Sequence, residues 1–81
     1  MLNRDMMTIP LGIYEHFKGN RYEVMGMAKH SETLEEMVVY KALYSERELW
    51  VRPVKMFLEE VERDGKRMPR FRYIGGKIDT V

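Results

Sequence analysis

With 81 residues the chain has room for one domain, and at 44% hydrophobic and 33% charged residues it has the composition of a folded protein rather than a disordered or fibrous one. It contains no Cys, which excludes disulfides and thiolate metal sites, and no apolar run approaches the roughly 18 residues of a membrane-spanning helix. Its net charge of +1 is a sum of unlike parts, +1 over residues 1–30, −4 over 31–62 and +4 over 63–81, so the basic end has an acidic counterpart within the chain.

In chain order, residues 1–11 lack the charged-then-apolar layout of a secretory signal and read as a flexible N-terminal segment. Ile13 to Lys18 and Arg21 to Met25 are β-prone runs flanking Gly19-Asn20, a dipeptide suited to the positive φ values of a two-residue hairpin turn. That turn sets Phe17 opposite Tyr22, His16 opposite Glu23 and Tyr14 opposite Met25. Gly26 and Ala28 then leave room for a neighbouring backbone where a small sheet bends, and the strand is expected to end at His30. The next stretch reads two ways. Thr33 and Glu36 fit a capping box that would open a helix, whereas Met37 to Tyr44 has adjacent β-branched residues and alternation at Val38, Tyr40 and Ala42. The alternation favours a strand after a polar connection.

Ser45 to Glu48 makes a polar turn into a strand at Leu49 to Arg52, with Leu49 and Val51 on one side and Trp50 and Arg52 on the other. Pro53 cannot donate to a ladder but suits the start of a helix, so a helical turn is expected over Pro53 to Leu58. Asp64-Gly65 is a strong hairpin signal. It sets Arg63 opposite Lys66, Glu62 opposite Arg67, Val61 opposite Met68, Glu59 opposite Arg70 and Leu58 opposite Phe71, with the return strand ending near Tyr73. Gly75-Gly76 opens a flexible C-terminal tail over 75–81.

Several uncommon words occur in order along this chain. Tyr14-Glu15-His16-Phe17-Lys18-Gly19-Asn20, His30-Ser31-Glu32-Thr33, Val38-Val39-Tyr40, Trp50-Val51-Arg52-Pro53 with Met56-Phe57, and Pro69-Arg70-Phe71 together resemble the bacterial family known as domain of unknown function 1653, over about residues 12–74. The resemblance implies a single small, mainly β domain similar to SH3-like barrels, and it implies no activity. The fold expected is therefore an SH3-like barrel or a bent antiparallel sheet of five to six strands with one short helical turn.

The residues with chemistry to offer are few. His16 and His30, with no Cys, fit no ordinary zinc spacing, and no Walker loop, dinucleotide fingerprint or other cofactor motif is present, so no metal or cofactor is expected. His30 beside Ser31 suggests a base and a nucleophile, but neighbours on an extended chain face opposite ways, and a turn role is the simpler reading. Glu35-Glu36 and Glu59-Glu60 read as solvated carboxylates. Trp50 and Arg52 share one strand face and could hold a ring or an anion, unless Trp50 caps the core and Arg52 pairs with a carboxylate such as Glu23. Arg63, Lys66, Arg67, Arg70 and Arg72 could form a phosphate-contacting ridge, although Glu59 and Glu62 are placed to neutralise part of it. The reading is a non-catalytic binding module with Trp50 and Arg52 at its centre and an unidentified partner, for which a protein or peptide is one candidate. Weak RNA or DNA binding through the 63–72 hairpin is an alternative, as is a small enzyme using His30 and a nearby carboxylate. No membrane partner is expected, and a Cys-free chain fits a reducing cytoplasm.

Overall fold

The computed structural model describes residues 9–76. Seven strands and one short helix follow one another as β1 (Gly12–His16), β2 (Arg21–Lys29), β3 (Glu36–Ala42), β4 (Leu49–Pro53), α1 (Val54–Phe57), β5 (Glu60–Arg63), β6 (Lys66–Pro69) and β7 (Phe71–Gly75). Five of them form an antiparallel sheet in the order β4-β3-β2-β1-β7, and β5 and β6 form a separate hairpin. The mainly β fold and the bent sheet are as expected, while the barrel is not: among the described residues the sheet stays open, with β4 and β7 at its edges.

The sheet bends at two irregularities. One lies between Val24 and Gly26 in β2, where Met25 is the extra residue, and the other between Ile13 and Tyr14 in β1. Gly26 therefore marks the bulge and not a close approach, since a Cβ there would meet nothing within 4 Å. Gly12 has the steric role instead. Its φ is +134°, and a Cβ would collide with the Gly75 carbonyl oxygen and reach 3.1 Å from the Gly76 Cα.

Strand alternation sends Tyr14, Val24, Val38, Tyr40, Ala42 and Phe71 to one face, where all are buried. Pro53, with φ −55° and ψ 140°, leads the chain off β4 into α1, which drops Val54 and Phe57 onto that face at 3% and 1% exposure. Phe57 and Phe71 stack at 4.2 Å, and the rings of Tyr14 and Tyr40 stand edge-on to Phe57 at 5.3 and 5.6 Å. Ile9 belongs to this core at 4% exposure, and the Tyr14 hydroxyl donates to the Pro10 carbonyl at 2.8 Å. The packed unit thus takes in residues expected to be part of a loose leader, whose residues 1–8 lie outside those described, as do 77–81 of the expected tail.

The two hairpins turned out differently. Asp64 (φ 54°) and Gly65 (φ 77°) both adopt positive φ, and the β5–β6 register is the expected one, Val61 facing Met68, Glu62 facing Arg67 and Arg63 facing Lys66. Glu59 and Arg70 continue it, the Arg70 N–H donating to the Glu59 carbonyl at 3.0 Å, but Phe71 departs into β7 opposite His16 and does not meet Leu58. In the β1–β2 hairpin Tyr14 faces Tyr22, Glu15 faces Arg21 and Ile13 faces Glu23, so the expected pairs of Phe17 with Tyr22, His16 with Glu23 and Tyr14 with Met25 do not form. The Gly19 N–H donates to the His16 carbonyl at 2.7 Å and the His16 N–H to the Asn20 carbonyl at 2.8 Å, which makes Phe17 and Lys18 the turn and Gly19, at φ +107°, the bulge residue after it.

Candidate functional site

Tyr40 faces Trp50 and Val38 faces Arg52 across β3 and β4, so Trp50 and Arg52 extend the core face of the sheet to its edge. The Arg52 Nε donates to the Tyr40 hydroxyl at 3.3 Å, and its guanidinium lies 5.7 Å from the centre of the Phe71 ring. Glu23 faces Lys41 on the opposite side of the sheet and is no partner for Arg52. Among the described residues no carboxylate lies within ion-pair distance of that guanidinium. Trp50 does not cap the core either; it is 49% exposed.

Three tyrosines complete the surroundings. Tyr22, Tyr40, Tyr44, Trp50 and Arg52 line an open cleft of about 190 Å³, and a further 100 Å³ hollow bounded by the 45–48 turn shares Tyr44 and Trp50 with it. Positive φ at Ser45 (53°) and Arg47 (57°), with the Arg47 N–H on the Tyr44 carbonyl at 3.0 Å, folds that turn back. The Leu43 N–H donates to the Arg21 carbonyl at 3.0 Å, and the Tyr44 hydroxyl lies 2.8 Å from that of Tyr22, whose ring stands edge-on to Tyr40, Tyr44 and Phe71. Burial, and then the hydrogen bond to Tyr44, raise the Tyr22 pKa, and burial with the nearby Tyr73 pushes Tyr14 up to about 12, so both phenols are neutral at physiological pH.

His16 closes the aromatic row behind them, with Phe71 at 5.0 Å and Tyr22 at 6.3 Å between ring centres. Burial, followed by the positive charges of Arg70, Arg52 and Lys18, lowers its pKa below 6.5. Its Nδ1 accepts the Lys18 N–H at 3.2 Å, which leaves the proton of the neutral ring on Nε2. The sequence reading passed over Tyr22, Tyr40, Tyr44 and His16. Tyr40 carried a signal there as part of the Val38, Tyr40 and Ala42 alternation, which Tyr44 continues just past the end of β3, whereas nothing in the sequence sets Tyr22 beside that face.

The remaining candidates lie elsewhere. His30 is exposed, and its Nδ1 accepts the Glu32 and Thr33 N–H groups at 3.1 and 3.3 Å while its backbone bonds to Leu34 and Glu35, so it shapes the β2–β3 turn six residues along β2 from Val24. Thr33 accepts the Glu35 N–H at 3.2 Å and caps no helix. On the basic hairpin Arg67 bonds Glu60 at 2.9 Å, Arg70 bonds Glu59 at 3.0 Å and Arg72 bonds Glu15 at 2.7 Å. Arg67 reaches the diagonal Glu60 and leaves its direct neighbour Glu62, as a long side chain can on a twisted ladder. Arg63 donates to the Phe17 carbonyl at 3.1 Å and lies over its ring. A second cleft, about 250 Å³ between the β1–β2 turn and β6, is lined by His16, Phe17, Met68 and the mutually bonded Glu15 and Arg72. Its charges are already answered, and those of the Trp50 cleft are not. Among the described residues no three His, Asp or Glu side chains converge as a metal would require, and no helix is long and apolar enough to cross a membrane.

No functionally curated protein is significantly similar to the chain. The crystal structure of a protein belonging to DUF1653 from Bordetella bronchiseptica shares 32% of its residues over 90% of this chain and 95% of that one, with a TM-score of 0.79. The family model described as Protein of unknown function (DUF1653) matches residues 12–73, nearly the whole of the sheet and both hairpins, and the chain belongs to that family.

Proposed function

We propose that the protein is a non-catalytic binding module that uses the cleft between Trp50 and Arg52 to take a short peptide segment carrying an aromatic ring next to a carboxylate. The observation that carries this reading is the partly buried Arg52 guanidinium, oriented by the Tyr40 hydroxyl and the Phe71 ring and met by no carboxylate of the described residues. A guanidinium fixed in this way presents its remaining donors to an anion. Trp50 and the Tyr22–Tyr44 pair offer flat apolar walls on either side. At about 190 Å³ the cleft is smaller than the roughly 300–1,000 Å³ usual for small-molecule sites, which favours a side chain or chain end over a whole cofactor. The Cys-free composition accords with work in a reducing cytoplasm.

Amide and indole chemical shifts of the labelled protein, titrated with a short peptide ending in a Phe carboxylate and with its C-terminal amide, test the reading. The acid should shift Trp50, Tyr44 and the Arg52 Nε–H and the amide should bind at least about tenfold more weakly, as should the acid to Arg52→Gln, given the roughly 1.5–3 kcal/mol of a charged hydrogen bond. Equal affinity for the two peptides, or shifts confined to the Glu15–Arg72 cleft, would reject it.

A further inference from the structure

The outer edge of β4 is complementary to itself. Ala42 donates its N–H to the Glu48 carbonyl at 3.0 Å, and the register runs on through Lys41 with Leu49, Tyr40 with Trp50, Val39 with Val51 and Val38 with Arg52. Hydrogen-bonded and non-hydrogen-bonded pairs alternate along an antiparallel ladder. Glu48, Trp50 and Arg52 therefore turn their backbone groups towards β3, while Leu49 and Val51 turn theirs outward, where no described strand meets them. The side chains of Leu49 and Val51 are 62% and 58% exposed. Among the described residues the edge carries no Lys, no bulge and no strand laid over it of the kind that protects most edge strands, and Pro53 interrupts it only at its end.

We propose that a second copy of the chain pairs with this edge, β4 against β4, about a two-fold axis at Trp50. In that register Leu49 and Val51 of one copy exchange both backbone bonds with Val51 and Leu49 of the other, so all four outward N–H and carbonyl groups of the central edge are satisfied on each side. Glu48 then faces Arg52 of the second copy on the cleft side of the sheet, and Leu49 packs on Val51 on the other side. Neither neighbouring register does as well. Centring on Val51 sets Leu49 against Pro53, which has no N–H to give. Centring on Leu49 calls on Arg47, whose φ of +57° takes it out of extended conformation. The result is a continuous ten-stranded sheet, twice the five strands of one copy, with the two aromatic clefts side by side at the axis. This interface stands on the outward backbone groups of β4, which the cleft does not use; at Arg52 alone, Glu48 of the second copy would compete with a bound carboxylate.

Sedimentation equilibrium of the native chain, carried to about 1 mM because so small an interface is expected to be weak, should show a monomer–dimer equilibrium that Glu48→Arg and Val51→Lys each weaken at least tenfold. Single cysteines then read the register in a chain that has no Cys of its own. Trp50→Cys places two thiols at a non-hydrogen-bonded pair about 4.5 Å apart between Cα atoms, within disulfide range. Leu49→Cys places them diagonally, about 8 Å apart and out of range. Rapid oxidation of the first and slow oxidation of the second supports the proposal. A native chain that stays monomeric at that concentration, dimerisation indifferent to both Glu48→Arg and Val51→Lys in folded variants, or faster cross-linking through position 49 would overturn it. Should Trp50→Cys not fold, the native chain and the two surface variants decide the matter.

Discussion

His16 sits where the hairpin turn, the aromatic row and three positive charges meet, and its protonation is opposed first by burial and then by Arg70, Arg52 and Lys18. In the unfolded chain its pKa returns to about 6.5. Between that value and the lower folded one, the unfolded state binds more protons, so stability is complete above pH 6.5 and falls as the pH drops towards the folded pKa. Thermal melts at a series of pH values should therefore show a loss as the pH falls below about 6.5 that is smaller in His16→Gln; parallel profiles for the two proteins would contradict this. Gly12 is the other residue whose identity is dictated by its surroundings. Gly12→Ala adds both the strain of a positive φ and a collision with the backbone at Gly75 and Gly76, neither of which can swing aside. A loss of about 2–3 kcal/mol or more in denaturant unfolding is expected, against no more than a few tenths for Gly26→Ala, whose Cβ meets open space.

At the scale of elements, legibility followed how much of a structure is decided within a few residues. The β5–β6 register could be read because Asp64-Gly65 suffices by itself for a two-residue turn and the flanking pairs agree with it. Gly19-Asn20 carried the same kind of signal and misled, since a glycine with positive φ serves equally well as the bulge residue after a longer turn. What decides there is tertiary: the shorter β1 lets Tyr14 and Tyr22 share the core face and leaves the Phe17 N–H to the Arg70 carbonyl at 2.9 Å, contacts set by a segment some fifty residues away. Pro53 announced α1, but not that one turn would supply the centre of the core. Phe57 is 1% exposed and touches Tyr14, Tyr40 and Phe71. Phe57→Ala should cost about 3–5 kcal/mol. Against the roughly 4–12 kcal/mol available to a chain of this size, that is a large fraction of the total, measurable as a drop in the denaturant midpoint.

For the molecule as a whole, the acidic middle and basic end do meet, through Glu59 with Arg70 and Glu60 with Arg67, and Glu15 of β1 answers Arg72. A mixed single-stranded oligonucleotide should accordingly bind weakly to the 63–72 hairpin and lose that affinity by about 150 mM salt; retention of micromolar binding there would show that the pairs yield to phosphate. That Trp50 and Arg52 share one face was legible because one strand places both residues. The tyrosines that complete it come from β2, β3 and a turn, and a single sequence does not say which strands will be neighbours. The same topology puts the start of β1 and the end of β7 on one rung, with Ile13 facing Gly75. A pull applied at those two strand ends would open the β1–β7 ladder like a zip, loading its hydrogen bonds one at a time instead of in shear. That ladder should therefore give way at low force when pulled at Ile13 and Gly75, although the core beside it is packed around stacked rings.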